Sequence, residues 1–175
     1  MACNLSTSVT LDCRDNLGGI ETVWLASVTG SSISFSAGTA DGYKASFTFD
    51  NNTVTGEGDF TGVLYEFQQP RQSASLAETG NFSEENGVAF YQSVLSMVIN
   101  KMTGERLNAL DILGQNTKLV AVVKDNNGRY FIVGNETGGI VTSSTSETGT
   151  AFGDRNGMTV EITGFATSPM YELEF

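Results

Sequence analysis

The chain has 175 residues, with 9 Lys and Arg against 20 Asp and Glu, a net charge of −11, and 20 Gly against only 2 Pro. Its length bounds it to a single domain able to bury a core without disulfides or metals, and its Ser, Thr and Gly content reads as all-β. The acidic balance argues against a sequence-reading nucleic-acid binder, which carries a basic stripe, and no stretch approaches the ~18 apolar residues of a membrane span.

Residues 1–18 read as a polar N-terminal arm ending at Gly18-Gly19. They contain the only cysteines, Cys3 and Cys13. Nothing in residues 1–20 has the form of an export signal, so two free thiols in a reducing compartment are expected rather than a disulfide. IETVWLASV (20–28) is the first strand, with Ile20, Trp24 and Val28 on one face and Val23 and Leu25 on the other. YKASFTFD (43–50) alternates cleanly, Tyr43, Ala45, Phe47 and Phe49 against Lys44, Ser46, Thr48 and Asp50. Residues 51–61 read as a protruding extended hairpin or loop, and 71–87 as a protruding loop with room for a short strand at Ala74–Ala77; a strand at 62–69 that Pro70 closes separates them.

VAFYQSVLSMVIN (88–100) fits a strand, or a helix grouping Val88, Tyr91, Leu95 and Val98; its β-branched and aromatic content favours the strand. A helix follows over about 103–113, with Thr103 as N-cap, Leu107, Leu110 and Leu113 as its apolar stripe, and Gly114 just past its end. A lone amphipathic helix needs a sheet to cover, so the expected fold is mainly β: an antiparallel β-sandwich or partly closed barrel flanked by one helix. KLVAVVKD, apolar on both faces, is a central strand; Asp125-Asn126-Asn127-Gly128 is a hairpin turn, and RYFIVGN the return. Residues 135–153 read as a Thr/Ser/Gly-rich excursion. Asp154-Arg155-Asn156-Gly157 repeats the turn pattern, MTVEITG alternates, and MYELEF ends the chain as a strand.

Candidate chemistry is sparse. The chain has no histidine, which removes the commonest general base and the Ser-His and Cys-His pairs. Cys3 and Cys13 do not have zinc spacing, and there is neither a P-loop nor a G-x-G-x-x-G run. The two D-x-N-G tetrapeptides lack the distal Glu of a calcium loop and read as turns. Trp24 and its fellow aromatics read as core, with base or sugar stacking as the alternative. No catalytic, cofactor or metal residue is assigned, and a non-enzymatic role is expected. Charge is uneven: residues 101–130 carry +2, while 41–100 carry −6 and 131–175 carry −5. Lys101, Arg106, Lys118, Lys124 and Arg129 form the one basic excess, either a plain charged face or a patch for acidic neighbours.

The order of features over roughly residues 62–175 resembles phage tail tube (major tail) proteins and, more distantly, the tubes of contractile injection machines. The resemblance rests on a mid-chain helix, then LVAVVKDNNGRYFIVGNETG, a Thr/Ser excursion, TGTAFGDRNG and an alternating strand. It implies hexameric rings stacked into a hollow virion tail for DNA passage, assembled in the host cytoplasm. The implied partners are further copies of the chain and tape-measure, terminator and sheath proteins, with DNA as passing cargo. On that reading the basic residues dock a neighbouring subunit. Glu66 and Gln68, with Lys44, Ser46 and Thr48, are then candidates to line the lumen, where a polar acidic wall repels phosphates. The alternatives are another virion ring or decoration protein, such as a tail terminator or connector, and a carbohydrate-binding β-sandwich.

Overall fold

A computed structural model describes residues 16–27, 44–50, 53–56, 61–63, 65–115, 118–134 and 136–174, with the backbone alone for 27, 44–63 and 174. Cys3 and Cys13, most of the arm, Val28 and Tyr43 lie outside these residues. The described elements run in the order β1 (Ile20–Ser27), β2 (Lys44–Asp50), β3 (Thr53–Gly56), β4 (Thr61–Val63), β5 (Tyr65–Gln68), β6 (Ser75–Ser83), β7 (Val88–Asn100), α1 (Gly104–Gln115), β8 (Leu119–Asp125), β9 (Tyr130–Val133), β10 (Gly139–Glu147), β11 (Gly157–Ala166) and β12 (Tyr171–Glu174). The fold is mainly β with one helix, as the composition led one to expect.

Strand β8 is the hub. Leu119 to Val123 are all buried, which is why its sequence is apolar on both faces. It pairs with β1 on one side and with β9 on the other, and touches β10 only at Leu119↔Gly139. That single contact divides the sheet into two layers. One runs β5-β1-β8-β9-β12-β2-β3-β4, and the other runs β10-β11-β7-β6. All their pairings are antiparallel except β12 with β2. The layers face each other across a core of Val23, Leu25, Leu95, Met97, Leu119, Ala121, Val160 and Ile162. Each fully buried aliphatic side chain there contributes roughly 1.5–3 kcal/mol.

The first layer begins with β4 and ends with β5, yet only residue 64 separates those strands in the chain. The layer therefore curls until its ends approach, without the ladder closing. A second buried set, Ala26, Val120, Val122, Ile132, Tyr171 and Leu173, occupies the face of the layer turned away from the sandwich core. The molecule is thus a sandwich with one layer bent into a partly closed barrel.

Several expectations need correction. The pattern put Ile20 with Trp24, but a register shift between Ile20 and Thr22 moves Ile20 to the Val23 and Leu25 side. Of the two readings of 51–61, hairpin or loop, the structure has the hairpin: β3 pairs with β2 and β4. Residues 71–87 are not simply a protruding loop: β6 forms a nine-residue hairpin with β7. The Thr/Ser excursion contains β10, which pairs along β11. β6 extends well beyond the short strand expected at Ala74–Ala77, and β6 and β10 lie at sheet edges, where little burial imposes an apolar alternation.

The helix begins where Thr103 caps it, its hydroxyl accepting from the Arg106 amide at 3.4 Å. Gly114 does not terminate it; helix α1 continues to Gln115. Only Leu110 and Leu113 of the expected stripe pack against the core, while Leu107 stays exposed.

Candidate interaction surfaces

The face of β6, β7, β11 and β10 turned away from the core carries a run of polar residues. Register assigns it. Ser96 and Gln92 of β7 align with Ser75 and Thr79 of β6, and with Glu161 and Phe165 of β11. Thr159 and Glu161 in turn align with Thr145 and Ser143 of β10. Thr142 and Thr163 share a hydroxyl–hydroxyl bond of 3.1 Å on the same face. Alternation with Leu95, Met97, Val160 and Ile162, which point into the core, keeps these residues outside. Apolar side chains interrupt this face along its length: Val94 lies between Ala77 and Thr163, Val98 beside Thr159 and Ile140 beside Thr163, and at one end the Phe90 and Phe165 ring centroids lie 6.2 Å apart.

Both outer strands of this layer have open edges among the described residues. β6 pairs only with β7, and β10 has no second ladder beyond Gly139, although helix α1 approaches it. The two edge strands have nine residues each and run in opposite directions, as the ends of a four-stranded antiparallel layer must.

At the β10–β11 turn the Asp154 carboxylate accepts from the amides of Thr150 (2.8 Å) and Ala151 (2.7 Å). Those backbone donors hold its pKa below the usual aspartate range. Arg155 donates to Glu147 and, at 2.8 Å, to the Thr159 hydroxyl. Gly149 adopts φ +70. The loop so fastened presents Phe152 at 114% of its reference surface. This is not a copy of the first D-x-N-G turn. There, Asp125 accepts from Asn127 and Arg129, while Asn126 and Asn127 clamp Leu17 and Gly18 at the end of the arm.

The predicted basic patch is dispersed. Lys118 and Lys124 lie at opposite ends of β8, about 20 Å apart at strand spacing. Lys124 is bonded to Glu21 at 2.6 Å, which raises its pKa, and Arg129 lies 4.0 Å from Glu172. Lys101 and Arg106 lie together at the C-terminal end of β7, where the Arg106 guanidinium donates to the carbonyls of Asn100 and Lys101. The five do not make one docking surface.

The lumen candidates are divided as well. Glu66 and Gln68 lie exposed on β5, with Gln68 donating to Glu66 at 3.1 Å, beside a cleft of about 490 Å³ that includes Trp24, Tyr130 and Lys124. Lys44, Ser46 and Thr48 belong to β2, five strand spacings away along the sheet. Their register is of the opposite parity: Ala45, not Lys44 or Ser46, aligns with Leu173 and through it with Tyr130 and Lys124. The two sets do not share a face.

No cluster of three or more potential metal ligands occurs among the described residues, and no described helix is long and apolar enough to cross a membrane. Comparison with family models, curated proteins and solved structures returns no match.

Proposed function

We propose that the chain is a structural subunit that assembles with copies of itself into stacked rings forming a phage tail tube through which DNA passes. The observation that carries this reading is the four-stranded layer β10-β11-β7-β6, whose outer strands are equal in length, opposite in direction and open at their edges. Exposed edges of that length invite aggregation in a monomer and serve as pairing sites in an assembly. Rotating one copy to bring its β10 beside β6 of the next continues the antiparallel ladder, and repetition of that contact closes a ring.

The non-core face then becomes the channel wall. It carries Ser, Thr, Gln and Asn around Glu161, with Val94 and Val98 among them, and its cation Arg155 is paired with Glu147, so the lining offers a passing duplex little to hold. This reading moves the lumen from β2 and β5 to β6, β7, β10 and β11, and assigns ring contacts to strand edges in place of a basic patch. Tape-measure, terminator and sheath proteins are the further partners it implies, and the virion tail is its location. No catalytic role is assigned.

Negative-stain microscopy and sedimentation of the purified full chain test the proposal. Rings or tubes are expected; a species that stays monomeric at high concentration across a range of salt overturns it. A carbohydrate-binding reading is favoured by one observation, the Trp24–Tyr130 ring pair (5.9 Å) beside Glu66 and Gln68 in the β5 cleft. Specific signals on a glycan array, lost in a Trp24→Ala variant, would support it.

A further inference from the structure

We infer that copies of this chain also join head to tail along the strand axis, with the Phe152 loop of one entering the aromatic rim formed by Phe82 and Tyr91 of the next. The inference rests on the self-assembly reading and adds a contact that edge pairing does not supply. Phe152 and the aromatic rim lie at opposite ends of one sheet. Gly157, at the base of the Phe152 loop, pairs with Asn100 at the C-terminal end of β7, whereas Phe82 pairs with Ala89 near its start. Core contacts on β7 begin only at Leu95, so the β6–β7 hairpin overhangs the sandwich. Phe82 (69%) is exposed on its core-side face, whereas Val88 (46%) and, on β11, Phe165 (41%) are exposed on the opposite face of the layer. Phe82 packs edge-on against Tyr91 with centroids 5.6 Å apart.

The charges at the two ends are complementary. Arg71, Lys101 and Arg106 are exposed at the Phe152 end, where Glu147 is engaged by Arg155 and the Asp154 carboxylate by backbone amides. Glu105, in the first turn of α1, and Glu66, which lines a cleft with Arg106, are the further acids near them. The opposite tip is the turn Glu84-Glu85-Asn86-Gly87, with both carboxylates exposed. A second copy displaced along the strands therefore brings knob to rim and base to acid in one movement. Because the two patches differ, the contact is heterologous and propagates.

The test compares wild type with Phe152→Ser and with the Glu84→Lys/Glu85→Lys pair by microscopy and sedimentation. Circular dichroism confirms that each variant is folded. Wild type is expected to form tubes, and Phe152→Ser to stop at single rings, because the strand edges are untouched. A benzophenone-bearing phenylalanine at position 152 is expected to cross-link to residues 82–91 of another copy. The charge-reversed pair is expected to shorten tubes, and adding Arg71→Glu and Lys101→Glu to restore them. Phe152→Ser tubes as long as wild type, or cross-links confined to other segments, overturn this contact and leave ring formation standing. A wild type that never assembles overturns both.

Discussion

Asp154 shows how a single side chain converts a polar sequence into a rigid feature. Its carboxylate replaces solvent for two amide donors, so the loop that carries Phe152 needs little apolar support. A depressed carboxylate pKa contributes stability above the unfolded value and loses it as pH falls through the folded value. The Thr150 and Ala151 amide resonances are thus expected to stay constant at neutral pH and to shift together only below the ordinary aspartate range; an Asp154→Asn variant should abolish that titration. Gly134 is the second decisive residue. It sits at the passage from β9 to β10 with φ +81, and a Cβ there would lie 2.5 Å from the Gly139 nitrogen and 2.6 Å from the Leu119 carbonyl. Gly134→Ala is expected to cost about 3 kcal/mol, read as a lower urea midpoint at unchanged slope. The glycine was visible in the sequence, but its role was not, since the atoms that crowd it come from residues distant in the chain.

Among the elements, those with two buried faces or clean alternation were legible. β8, β11 and the strand choice for β7 followed from their apolar patterns because burial imposes those patterns. β10 was not, and β6 only in part, because each lies at a sheet edge and its polar residues meet water or, in the proposed assembly, a channel. Helix α1 was located by its cap but over-read in its packing. Leu110 is half-buried whereas Leu95 is fully buried, so Leu95→Ala is expected to cost about 2–5 kcal/mol and Leu110→Ala distinctly less, as paired denaturation curves would show. Thr103→Ala should cost about 1 kcal/mol through loss of the cap.

At the scale of the whole molecule, the curl of the first layer leaves the second as the one with two free edges. That asymmetry separates a curled part, whose end strands approach each other, from a layer whose end strands stay apart. If the polar face is a channel wall, its charge sets how DNA moves along it. Glu161→Lys is expected to leave the fold and rings unchanged and to give assembled tubes a DNA affinity that falls steeply with salt, measured by fluorescence anisotropy. Wild-type tubes should bind no more than weakly under the same conditions.

The sequence by itself determined the all-β class, the central apolar strand, the capped helix and the turn at Asp125, because each follows from contacts among neighbouring residues or from local burial. Only the tertiary structure decided that the basic residues are dispersed and that Glu66 and Lys44 belong to different faces. It also decided that two strand edges remain open and that Phe152 and Phe82 stand at opposite poles. Those are matters of register and strand order, which depend on pairings between residues far apart in the chain, and no local pattern records them.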